Sequence, residues 1–127
     1  MLVDDDADDN FFHERVIRNN YPSILVIAKQ TAKEGLEYLK SNKEDSNTHP
    51  DLVFLDINMP RMNGWEFLDE YNKLDKQFQS KAVVVMLTTS GNPDDMEKAQ
   101  LNKDVADYKT KPLTRELLKE IIDKYFA

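Results

Sequence analysis

Four separated segments end apolar, strand-like runs with groups able to do chemistry. They are the acidic run Asp4-Asp5-Asp6 after Leu2-Val3, Asp56 closing the run from Asp51 to Leu55, Thr88 closing the run from Val83 to Leu87, and Lys111-Pro112 after Tyr108. In a parallel α/β sheet the carboxyl ends of the strands share one edge, and ligands bind in the crevice outside it. The carboxylates, the hydroxyl and the amine are therefore expected to meet. Carboxylates gathered in this way repel one another by about 4 kcal/mol per pair at about 4 Å when the effective dielectric is about 20. A bound cation relieves that repulsion. Oxygen ligands with no His or Cys nearby suit magnesium, or manganese in its place, and magnesium takes one or two protein carboxylates together with waters and phosphate oxygens. One carboxylate then remains free to react. A carboxylate nucleophile facing a metal-bound phosphoryl group forms an aspartyl-phosphate, while a lysine and a hydroxyl take up charge on the equatorial oxygens. The chemistry these residues suggest is phosphoryl acceptance.

At Leu2-Val3-Asp4-Asp5-Asp6, Leu55-Asp56-Ile57-Asn58-Met59-Pro60-Arg61-Met62-Asn63-Gly64, Leu87-Thr88-Thr89-Ser90 and Tyr108-Lys109-Thr110-Lys111-Pro112, the chain resembles the receiver domain of two-component response regulators. The likeness is to stand-alone regulators of the chemotaxis type. It extends more weakly, through Asp8-Asp9-Asn10-Phe11 and Ser90-Gly91-Asn92-Pro93, to the small regulators that pair with phytochrome-like kinases. The resemblance covers nearly all of residues 1 to 127, read as a single receiver domain. It implies a flavodoxin-like fold with strand order 2-1-3-4-5, and Asp56 as the phosphoacceptor. Asp4 and Asp5 would be the acidic pair that holds magnesium, joined by Asp56 and the backbone carbonyl of Asn58. Thr88 and Lys111 would bind the phosphoryl group, with Thr88 and Tyr108 as the switch pair. Asn58 and Ser90 would flank the path of the hydrolytic water and tune the phosphoryl lifetime. The implied donor is a phosphohistidine on a histidine kinase or phosphotransfer protein. The implied output is a change in the surface of the fourth helix, fifth strand and fifth helix, read by a downstream protein partner.

The elements that must position these groups alternate along the chain. Leu2-Val3 is the first strand, and Asp8 or Asp9 can cap a helix to about Asn20 that buries Phe12, Val16 and Ile17. Ser23 to Ala28 forms the second strand. Thr31 caps the next helix, with Ala32, Leu36 and Leu39 on one side, before the polar stretch Ser41 to His49. The runs 51–56 and 82–88 are almost continuously apolar, as strands covered on both faces should be. Between them a helix from Gly64 to about Leu74 buries Phe67, Leu68 and Tyr71. Asn92-Pro93 opens a helix whose few apolar residues are Met96 and Leu101, and Val105 to Lys109 is a short, polar fifth strand. Thr114 caps the last helix, with Leu117, Leu118, Ile121, Ile122 and Tyr125 on one stripe. Five βα units predict an α/β, doubly wound parallel sheet of five strands with right-handed crossovers. The first strand begins at Met1 with three residues before the acidic pair. It is therefore expected either to pair through few residues or to follow chain upstream of Met1. His13 and His49 form no metal or catalytic pair, and Trp65 is expected to pack.

Composition bounds the function. The 127 residues suit one domain with a single core. A formal charge of -7 disfavours nucleic acid and anionic membrane as partners. With no cysteine there is neither disulfide nor thiolate metal site, and with no long apolar run there is no membrane span or signal peptide, so a cytoplasmic protein is expected, as a monomer or weak homodimer. Two other classes compete. An aspartate-nucleophile phosphatase of the haloacid-dehalogenase type needs a second aspartate two residues after the first as general acid. Here that position is Asn58, whose amide cannot protonate a leaving alkoxide, so the chain is expected to be a signalling protein and not an enzyme. A pseudo-receiver, an interaction module without phosphorylation, would have lost Asp56, Asp5 or Lys111, and all are present.

Overall fold

Leu2 and Val3 point to opposite faces of a strand, and each face is closed by a different set of helices. The computed structural model describes residues 1–41, 50–74, 82–89 and 92–126. Among these the order is β1 (Leu2–Val3), α1 (Ala7–Asn20), β2 (Ala28–Lys29), α2 (Ala32–Ser41), β3 (Leu52–Leu55), α3 (Gly64–Asn72), β4 (Val83–Thr88), α4 (Pro93–Leu101), β5 (Asp107–Thr110) and α5 (Arg115–Phe126). All strand pairs are parallel and the sheet runs β2-β1-β3-β4-β5, which is the flavodoxin-like order. On one face Val3, Leu55 and Met86 pack with Leu36 and Leu39 of α2, Phe67 and Leu68 of α3 and Ala99 of α4. On the other, Leu2, Phe54 and Val85 pack with Ile17 of α1 and with Leu118 and Ile121 of α5.

Three expectations need correction. The first concerns α1: its N-cap is Asp6, whose carboxylate accepts from the backbone N–H groups of Asp8 and Asp9. The face it buries carries Asn10, His13 and Ile17, while Phe12 is half exposed. Asn10 wins a buried place because its amide donates to the carbonyls of Asp4 and Lys29, where β1 and β2 part. The second is β2, which is only Ala28–Lys29 and not Ser23 to Ala28. β1 offers only Leu2 and Val3 as partners, and they pair with Ala28 and Lys29. Third, β5 starts at Asp107, two residues later than expected, because its ladder with β4 begins at the Val85–Asp107 pair. On α4, Ala99 is buried, whereas Met96 and Leu101 face outward.

Other expectations hold. Thr31 and Thr114 each accept a backbone N–H from three residues ahead. α3 buries Phe67, Leu68 and Tyr71, and Leu117, Ile122 and Tyr125 flank the buried Leu118 and Ile121 on α5. Trp65 packs in the core, and His13 is a buried packing residue. Within the polar stretch Ser41 to His49, residues 42–49 lie outside the described residues. So do Ser90 and Gly91.

Candidate phosphoryl-transfer site

Register carries the chemical groups to one edge. Val3 pairs with Leu55, so Asp4 and Asp56 leave adjacent strands side by side. Two bonds fix them there: Asp56 N–H donates to Val3 O at 2.9 Å and Asp4 N–H to Lys29 O at 3.1 Å. Thr88 pairs with Thr110, and Lys111 N–H donates to Thr88 O at 2.8 Å, which ties the start of the Lys111 loop to the end of β4. The Lys111–Pro112 bond is cis.

Beyond Asp56 the chain turns back so tightly that the start of α3 lies on the Asp56 backbone. Gly64 N–H donates to Ile57 O at 2.9 Å. A Cβ on Gly64 would stand 2.6 Å from the Asp56 carbonyl oxygen, so only glycine fits this approach. Asn63 caps α3 in a reciprocal pair with Glu66, which fixes where the helix begins. Arg61, with φ of 70°, is a non-glycine residue in the left-handed region and absorbs the turn of this loop.

One carboxylate oxygen from each of Asp4, Asp5 and Asp56 lies within 4.8 Å of the other two. Asp4 and Asp56 are buried and Asp5 is exposed. Burial, and then the negative charge of Asp4, push the Asp56 carboxyl up to about 7; Lys111 and the backbone N–H of Asn58 act against this, and Asp5 adds to it. The donor set, all oxygen, is the kind that takes magnesium or manganese, so the residues fit such an ion.

The Lys111 ammonium lies 2.6 Å from Asp4 Oδ2, 2.8 Å from Asp9 Oδ2 and 3.8 Å from Asp56 Oδ2. Burial works against its charge, but its hydrogen bonds to Asp4 and Asp9 and the charges of Asp56 and Asp4 outweigh that and hold its pKa above the usual lysine value. Thr88 is fully buried at the end of β4, and Tyr108 is partly buried against the α2–α3–α4 side of the core. Asn58 is exposed. Asp4, Asp5, Asp56 and Lys111 thus meet at the strand ends, Thr88 closes β4 on the same edge, and Ser90 is not described. Sequence reasoning misses Asp9, which the pattern offers only as a helix cap. Its signal is the spacing of Asp9 and Asn10 to His13 and Ile17, which puts polar residues on the helix face that meets the sheet. A roomy apolar groove, lined by residues such as Tyr21, Leu25, Leu52 and Phe126, lies by the amino ends of β1 and β3 and contains none of these groups.

Comparison with known proteins agrees with this geometry. Residues 1–123 match the family model described as "Response regulator receiver domain". Chemotaxis protein CheY1 of Helicobacter pylori is 31% identical over 118 residues, covering 92% of this chain and 90% of that protein. The probable methanogenesis regulatory protein FilR2 of Methanothrix harundinacea is 29% identical, covering 93% of this chain and 77% of its own length. Among solved structures, a two-component response regulator from Cytophaga hutchinsonii superposes with a TM-score of 0.88 at 29% identity, covering 98% of this chain and 92% of that one. Some relatives are longer: the chain spans 42% of an uncharacterized response regulatory protein of Staphylococcus epidermidis.

Proposed function

The chain belongs to the response regulator receiver domain family, and from that premise we propose that Asp56 accepts a phosphoryl group from a phosphohistidine on a histidine kinase or phosphotransfer protein. Receiver domains are signalling proteins, and phosphorylation on an aspartate is general among them. The observation that carries the assignment to this chain is the convergence of Asp4, Asp5, Asp56 and Lys111 at the strand ends.

In the transfer, an Asp56 carboxylate oxygen attacks phosphorus in line, the O–P bond forms, and the N–P bond to the histidine breaks with its electron pair returning to the imidazole. A magnesium ion, or manganese in its place, held by Asp4, Asp5, Asp56 and the Asn58 carbonyl, would neutralise charge on the phosphoryl oxygens. Lys111 supplies a second positive charge, and Thr88 a hydroxyl for another oxygen. Tyr108 then turns inward, and the surface of α4, β5 and α5 changes for a downstream protein partner. Met96 and Leu101 of α4 are exposed apolar residues, which supports the choice of surface. Moving such an equilibrium from 1:99 to 99:1 takes about 5.5 kcal/mol of preference for one state. Asn58 and Ser90 tune the lifetime. We place the protein in the cytoplasm as a monomer or weak homodimer; among the described residues no helix is long and apolar enough to cross a membrane.

The test is incorporation of label from acetyl phosphate with magnesium. Wild type should take up label that is stable in acid and lost in base, and Asp56→Asn should not. Equal labelling of Asp56→Asn would overturn the assignment, and no magnesium-dependent labelling of wild type would favour a phosphorylation-independent interaction module.

A further inference from the structure

Lys111 approaches Asp56, but its shortest contacts are to other carboxylates. An ammonium has three protons to donate, and here two go to Asp4 at 2.6 Å and Asp9 at 2.8 Å, while Asp56 at 3.8 Å is beyond hydrogen-bond reach. Asp4 belongs to the carboxylate cluster, but Asp9 does not. It reaches the ammonium from the first turn of α1, across a sequence separation of 102. The Lys111 side chain is only 9% exposed, so its partners are few and each matters; Asp9 is 36% exposed and forms the outer wall of this contact.

We propose that Asp9 is a positioning residue that retains Lys111 on the α1 side of the site and so competes with the phosphoryl group for its ammonium. Lys111 must loosen its bond to Asp9 to close on an anion at Asp56, and that competition weakens the phosphorylated state relative to the free one. The same step frees the Asp9 carboxylate at the start of α1. This inference rests on Asp56 being the acceptor.

The experiment measures the affinity of the magnesium-loaded protein for beryllofluoride, a tetrahedral phosphoryl mimic, by calorimetry carried to saturation. Asp9→Asn should bind about fivefold more tightly than wild type, the upper end for a partly exposed ion pair. Asp9→Glu, which restores the charge, should return towards wild type. In a Lys111→Met background, Asp9→Asn should change nothing. Unchanged or weaker binding by Asp9→Asn, with unfolding curves matching wild type, would overturn the proposal. So would equal tightening in the Lys111→Met background, since Asp9 would then act by simple repulsion of the anion. If wild type itself binds no beryllofluoride, the acceptor reading falls and this inference falls with it.

Discussion

The charge on Asp56 should cost the metal-free protein stability at neutral pH, and removing it should return that stability. In the folded chain the carboxyl is raised from 3.8 to about 7 by burial and by Asp4. Between those values the folded state binds more protons at this group than the unfolded state does, so stability falls as pH rises. The contribution is fully favourable below about pH 4 and is lost as pH passes through 7. A shift of roughly three units at 1.36 kcal/mol each makes the loss about 4 kcal/mol above pH 8. Asp56→Asn keeps the shape and hydrogen-bonding reach of the protonated acid while removing the titration. Urea unfolding of both proteins with a chelator present, at intervals from pH 4 to 8.5, gives the difference curve directly. It should be near zero at pH 4, rise through pH 5 to 7 in favour of Asp56→Asn, and level off near pH 8. Saturating magnesium at pH 8 should remove most of it. Parallel pH profiles for the two proteins would refute the claim that Asp56 is a buried, charge-crowded carboxyl.

The other outcomes concern the groups around it. Magnesium at about 100 times its dissociation constant should add roughly 2.7 kcal/mol to wild type. Asp5→Ala should lose that gain and, in chelator, should melt no lower than wild type, because Asp5 is exposed and its charge repels the cluster; an equal magnesium response in a thermal melt would contradict the shared site. Gly64→Ala forces a Cβ to within 2.6 Å of Asp56 O and should cost about 1–3 kcal/mol in urea unfolding, with a weakened magnesium response because Asp56 must move. Asn10→Ala removes the amide that donates to Asp4 O at 3.0 Å and should cost about 1–3 kcal/mol by the same measurement.

The chemical edge is legible because each of its groups is fixed by the end of a strand, and β3 and β4 are short apolar runs, β4 rich in β-branched valines, which favours strand over helix. Once Asp56 stands one residue past β3, Thr88 closes β4 and Lys111 follows β5, parallel register brings them together. Sequence and structure part where burial is decided by hydrogen bonding. Phe12 is apolar and suits the helical period, yet Asn10 occupies the inward face, since its amide donates to the Asp4 and Lys29 carbonyls there and a phenyl ring cannot. Rotating the helix to suit Asn10 also turned Asp9 towards Lys111, a contact that neither a propensity nor a motif encodes. β2 was overlong because Ile24, Leu25, Val26 and Ile27 form a fluent strand sequence, but a strand extends only as far as its neighbour does, and β1 supplies Leu2 and Val3.

The most direct test of the account is chemical identification of the acceptor. Protein phosphorylated with acetyl phosphate and magnesium is treated with tritiated borohydride, which reduces an aspartyl-phosphate to homoserine, and is then digested and sequenced. Tritiated homoserine is expected at residue 56 and nowhere else. Homoserine at Asp4, Asp5 or Asp9 with residue 56 still aspartate, or stable label with no homoserine at all, would contradict it.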